Sequence, residues 1–112
     1  MSAQSPQNAL PPTVPIETDH IRERWHQRIA TDIAPTQAWH DGHEVTQRLR
    51  TYLPPSEGFH ELDKRVRYHA ETDALLVCRG FKLATVLDVG NCASPALEQA
   101  IRLAFERTED TR

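Results

Sequence analysis

The sequence predicts an α+β fold: two N-terminal helices, an antiparallel β-meander of three to four strands, and a C-terminal helix packed on one face. Ile21, Trp25 and Ile29 recur at i, i+4 and i+8, an apolar stripe of helical period. "RVRYHA" (65–70) alternates with period two, "ALLVCR" (74–79) is a fuller apolar run, and "FKLATVLDV" (81–89) follows the turn residue Gly80. Leu97, Ile101 and Phe105 restore the helical period near the C-terminus.

Residues 1–16 hold four prolines and no charged side chain, which suits a disordered leader. The domain proper is expected over 17–108, with 109–112 a tail. In "ETDHIRERWHQRIATDI" (17–33), Thr18 or Asp19 can cap a helix that should end near Thr31. His20, Arg24 and Arg28 form a polar row beside its apolar stripe. "APTQAWHDGHEV" (34–45) predicts a second helix with Pro35 in its first turn, Trp39 as its anchor and Gly42 as its stop. Val45, Leu49 and Tyr52 repeat at helical spacing, and Pro54-Pro55 ends that run. A further short strand fits within 43–62. "ETD" (71–73) is a hairpin loop, and Ser94-Pro95 is an N-cap and N1 pair for the closing helix. An alternating first strand buries one side only, so helices should cover one face of the meander and leave the other open over at least part of its area.

The 112 residues suit one domain with one modest core. A composition of 38% hydrophobic and 26% charged residues is that of a soluble globular chain. The net charge of −3 excludes a general nucleic-acid sponge but leaves room for a local basic site. Only Lys64 and Lys82 of the 13 basic residues are lysines. Arginine suits bidentate pairing with carboxylates or phosphates, although a surface bias in composition accounts for the same count. Cys78 and Cys92 are too far apart for a zinc knuckle and too few for a disulfide framework. Cys78 lies in an apolar strand and reads as a core residue. No signal-peptide pattern and no apolar run of roughly 18 residues is present, so a cytoplasmic location is expected and no membrane.

His40 and His43 stand three apart with no third ligand nearby and Gly42 between them, so neither a metal site nor a cofactor is expected. His26 and His60 read as solvated residues. His69 differs, because Arg65 and Arg67 share its strand face. A neutral imidazole is a general base, and guanidinium groups about 7 Å apart along a strand can hold a phosphate between them. His20 and Arg24 would reach the same space if the first helix lies across the sheet. Thr85 and Lys82 would complete it, though they cannot share one side of an undistorted strand. The set suits metal-independent RNA cleavage by 2′-hydroxyl attack, which needs a base, cations and an acid. Against this stands the plain alternative that Arg and His form the wet side of a small sheet.

"TDHIRERWHQR", "APTQAWHDGHEV", "RVRYHAETDALLVCRG" and "LATVLDV", in that order over about residues 18–89, resemble small RelE-toxin-related proteins of the kind common in halophilic archaea. Those proteins are similar to the wider RelE/ParE and colicin-type ribonuclease fold. The matching features are His20, Arg24-Trp25, Ala38-Trp39, Arg67-Tyr68-His69 and Thr85-Val86-Leu87. The resemblance implies a metal-independent endoribonuclease acting on messenger RNA, an antitoxin partner, and a site of His20, Arg24, Arg67, His69 and Thr85. Arg28, Arg65 and Lys82 are the further candidates for RNA contacts. The chain departs from the pattern in its acidic net charge and its closing helix. A non-catalytic module that binds a protein partner or a second copy of itself is the alternative, since a small meander leaves strand edges to be covered. A third reading is a structural protein with no site.

Overall fold

The structure, a computed structural model, describes residues 15–29 and 31–110. Helix α1 (Asp19–Arg28) is capped by Thr18, whose Oγ1 accepts the Ile21 N–H at 3.2 Å. It stops before Thr31 because Ile29 turns extended, and the Trp25 indole donates to the Ile33 carbonyl at 2.7 Å, folding the chain back. Ile29 stays in the buried stripe even so. Helix α2 (Pro35–Asp41) starts on Pro35 and is capped by Gly42, as its residues predict. A Cβ at Gly42 would lie 3.0 Å from the Ala38 carbonyl oxygen and 3.2 Å from Arg67 Cβ. Only a bare backbone lets the end of α2 approach the sheet this closely.

That approach delivers β1 (His43–Glu44), the further short strand, to β2 (Lys64–His69). Helix α3 (Thr46–Tyr52) follows, with Val45 and Leu49 buried and Tyr52 exposed. A 3-10 turn (Pro55–Glu57) leads to β2. Arg50 fixes the intervening loop by donating to the carbonyls of Phe59 (2.7 Å), Glu61 (2.7 Å) and Lys64 (3.1 Å). Strands β3 (Ala74–Arg79) and β4 (Lys82–Asp88) complete an antiparallel sheet in the order β1-β2-β3-β4. A short helix α4 (Val89–Cys92) precedes α5 (Pro95–Asp110), where Ser94 Oγ accepts the Leu97 N–H.

The leader expected over 1–16 lies outside the described residues except for Pro15 and Ile16. Ile16 makes a parallel bridge to the outer edge of β4, donating to the Phe81 carbonyl and accepting the Leu83 N–H.

Helices pack on both faces of the sheet, so neither face is wholly open, and what stays exposed includes Arg65 on β2 and Ala84 and Thr85 on β4. Val66, Tyr68, Leu75 and Val77 pack with α3 and α5. Ala74, Leu76, Cys78, Leu83 and Val86 pack with Ile21, Trp25, Ala38 and Trp39 from α1 and α2. β3 is buried on both sides along nearly its whole length, which requires cover on both. Burial pushes the Cys78 thiol pKa up, in keeping with a core cysteine.

A bulge in the β3–β4 ladder pairs Cys78 with Leu83 and Val77 with Thr85, leaving Ala84 as the extra residue. Leu83 and Val86, three apart, therefore both face the α1–α2 layer. The same extra residue puts Lys82, paired with Arg79, in phase with Thr85.

Candidate functional site

The α1 row and the edge of β4 form a cleft of about 200 Å³ lined by His20, Ile21, Arg24, Arg28, Ala84, Thr85 and Val86. The row exists because the stripe Ile21–Trp25 anchors α1 on β4, which leaves the residues one position earlier at the seam. Each step of four residues advances about 6 Å along the axis. Among the described residues, the side chains of His20 and Arg24 make no hydrogen bond or ion pair. Arg28 donates from Nη1 to the Val86 carbonyl at 2.9 Å and has no carboxylate in ion-pair distance among the described residues. Thr85 borders the cleft although the register pairs it with Val77 of the opposite layer.

The β2 arginines stand in another place. Trp39, 1% exposed, lies beneath both guanidinium groups, 5.7 Å from Arg65 and 4.9 Å from Arg67. Arg67 donates to the Trp39 carbonyl at 3.0 Å and to Glu44 Oε1 at 3.2 Å, and Arg65 reaches the same oxygen at 3.4 Å. Thr46 holds Glu44 in turn, donating to its carboxylate while accepting the Val66 N–H at 2.8 Å. Neither Arg65 nor Arg67 lines the α1–β4 cleft. His69 is 4% exposed, not on a wet face, and its Nδ1 is 2.8 Å from Thr72 Oγ1. Lys82 is exposed at the start of β4.

The structure thus brings together His20, Arg24, Arg28 and Thr85, and leaves Arg65, Arg67 and His69 outside that cleft. A second cleft of about 250 Å³ lies on the other side of Arg28, lined by Ile29, Thr31, Glu71, Thr72 and Asp88. Thr72 and Glu71 come from the β2–β3 loop, and Asp88 ends β4 where the register sets it opposite Ala74. Sequence reasoning took "ETD" as a turn only. The hairpin register was the signal that could have placed its residues beside Arg28.

A further polar group ties α5 to the β2–β3 turn. Arg102 donates to both Asp73 oxygens (2.7 and 3.2 Å), to Glu98 (3.2 Å) and to the Tyr68 hydroxyl (2.6 Å), and Tyr68 donates to Asp73 at 2.6 Å. Burial alone would raise the Asp73 pKa, but the Arg102 and Tyr68 hydrogen bonds outweigh it and hold the carboxyl below its usual range. Burial, and then the bond to Asp73, pushes the Tyr68 phenol up to about 12. Asp73 sits at φ 56°, a left-handed conformation that aspartate tolerates better than most residues.

His40 is 3.2 Å from the Asp41 carboxylate, and His43 packs edge-on against Phe105 at 4.9 Å. Among the described residues, no three His, Cys, Asp or Glu side chains are placed to share a metal ion. Among them too, no helix is long and apolar enough to cross a membrane.

Residues 16–90, more than half of the chain, match a family model described as "Putative RelE superfamily toxin domain". The chain belongs to that family. The expected kinship with RelE-related toxins is thereby borne out at the level of the superfamily. The RelE superfamily match ends at Gly90, so α5 lies beyond it. No curated protein and no solved structure matches the chain.

Proposed function

We propose that this RelE superfamily toxin domain is RNA-directed and that the α1–β4 cleft is where it holds the RNA backbone. The observation that carries the reading is the row His20–Arg24–Arg28, which lines a cleft with no carboxylate among its lining residues and forms no ion pair among the described residues, Glu71 and Asp88 lying in the second cleft that only Arg28 of the row borders. Cations left free of acid partners are what a phosphate contact needs. The reaction that fits is metal-independent endoribonuclease cleavage. His20 takes the 2′-hydroxyl proton, the 2′-oxygen attacks the adjacent phosphorus, and the bond to the 5′-oxygen breaks. Arg24 and Arg28 stabilise the charge that builds on the phosphoryl oxygens, and the leaving 5′-oxygen takes its proton from water. Arg67, Arg65 and His69 serve the scaffold in this reading, and Thr85 is a cleft-wall residue. An antitoxin is the protein partner that goes with a toxin domain.

The test incubates the full chain with single-stranded RNA, with and without EDTA. Cleavage that survives EDTA and leaves 2′,3′-cyclic phosphate ends is expected. His20→Ala should reduce the rate by about 10²–10⁴-fold, the usual worth of a general base, while RNA binding persists. Cleavage equal in His20→Ala and wild type overturns the catalytic assignment. The second reading, a non-catalytic binding module, is favoured by the engagement of Arg67 and His69 in structural contacts. In it the chain binds a protein partner or a second copy of itself, and it predicts neither cleavage nor Arg24-dependent RNA binding.

A further inference from the structure

We infer that the second cleft, across Arg28 from the first, is a nucleobase subsite that prefers guanine. The inference rests on the RNA-backbone reading of the first cleft and adds which base the chain would select. Arg28 lines both clefts, so a nucleotide whose phosphate lies against Arg24 and Arg28 can turn its base into the neighbouring space. That space is about 250 Å³ and carries both kinds of hydrogen-bonding group. Glu71 is exposed, and its carboxylate has no hydrogen-bond or ion-pair partner among the described residues. Asp88 accepts from the Asn91 amide at 2.8 Å, which takes one of its acceptor positions, so Glu71 is the wholly uncommitted carboxylate of the cleft. Arg28 spends one amino group on the Val86 carbonyl and keeps its remaining N–H groups. Thr72, which lines the same cleft, has its hydroxyl 2.8 Å from His69 Nδ1.

Guanine is the base that satisfies both charged groups at once. Its N1–H and N2-amino group form a donor pair that a carboxylate accepts in bidentate fashion. Its O6 and N7 form an acceptor pair that suits arginine. Adenine and cytosine offer the carboxylate one amino group each, and uracil offers only its imino N–H. Base edges of this kind are within reach only in single-stranded or splayed RNA.

The experiment titrates the full chain with GMP, AMP, CMP, UMP and IMP by NMR chemical shift. GMP should bind about tenfold more tightly than the other standard nucleotides, the scale of one good bidentate base contact. IMP, which lacks the 2-amino group, should fall between. Glu71→Gln, an exposed substitution, should remove the GMP advantage and bring GMP to the affinity of the other standard nucleotides. Nucleotides that all bind alike, or a GMP preference that survives Glu71→Gln, overturn the subsite and leave the RNA-backbone reading standing. If no nucleotide binds, both fall. A GMP preference that persists in Arg24→Ala, at uniformly lower affinity, supports the subsite independently of the phosphate contact.

Discussion

The chain carries two rows of arginine at regular spacing, and they have opposite fates. On β2, Arg65 and Arg67 lie over Trp39 and share the Glu44 carboxylate, which Thr46 holds in place. On α1, Arg24 and Arg28 line a cleft with His20 and, among the described residues, form no ion pair with a carboxylate. Both rows border buried faces, so position alone does not separate them. The difference is the partner that topology supplies. Two residues of β1 bring an acid into ion-pair distance of the first row, whereas β4 gives the second row the Val86 carbonyl, and its Asp88, in the neighbouring cleft, forms no ion pair with Arg28 among the described residues. A satisfied guanidinium holds two elements together. An unsatisfied one beside a cleft is available to a ligand.

The largest effect should come from removing the platform of the paired row. Trp39→Ala leaves a cavity under both β2 guanidinium groups and should cost about 3–5 kcal/mol, read by urea denaturation. A loss below 1 kcal/mol would mean that α2 does not anchor this face. Next, Arg102→Ala should cost about 1–2 kcal/mol, an amount reduced by the partial exposure of Arg102 and Asp73. Its pH dependence has a definite sign. The folded-state pKa of Asp73 is depressed, so the link stabilises fully above the unfolded value of about 4 and is lost as pH falls through the lower folded value. The stability difference between wild type and Arg102→Ala should therefore shrink from pH 7 toward acid. A difference that is constant with pH would remove Asp73 as its origin.

The sharpest comparison pairs Arg67→Ala with Arg24→Ala. The first should cost about 1 kcal/mol of stability, the net worth of its hydrogen bonds, and leave RNA affinity as it is. The second should change stability by no more than about 0.5 kcal/mol and reduce the salt slope of RNA binding by about 0.7, one single-strand phosphate contact. Exchanged results would mean that the roles of the two rows are reversed. Smallest of all, Glu44→Gln should change stability by about 0.5 kcal/mol or less, since its ion pairs are exposed. Its use lies in freeing Arg65 and Arg67. If RNA affinity then rises, the absence of an acid partner is what makes a row bind.

The elements were legible in the sequence wherever one residue fixes a local choice. Pro35 started α2, Gly42 stopped it, Ser94 capped α5, and the stripe Ile21–Trp25 predicted the buried side of α1. What did not read out was tertiary. The alternation of β2 argued for one open face, yet the unbroken apolar run of β3 already required cover on both sides. His69 looked like a partner for the arginines by its period, but its burial depends on the helices that roof the strand. The family motifs placed His20, Arg24, Arg67 and His69 in one group. Only strand order shows that β3 separates β2 from the edge strand against which α1 lies.

The extra residue in β4 makes the strand run in two phases. Before Ala84 the inward positions follow one count, and after it they follow the other. A chain one residue shorter at this point could seat Leu83 or Val86 in the core, but not both. If Val86 turned outward, its carbonyl would leave Arg28, and the wall between the two clefts would lose its fixed point. Length, rather than side-chain identity, is what this position specifies: many residues could replace Ala84, and a deletion there would be harder to absorb than any of those replacements.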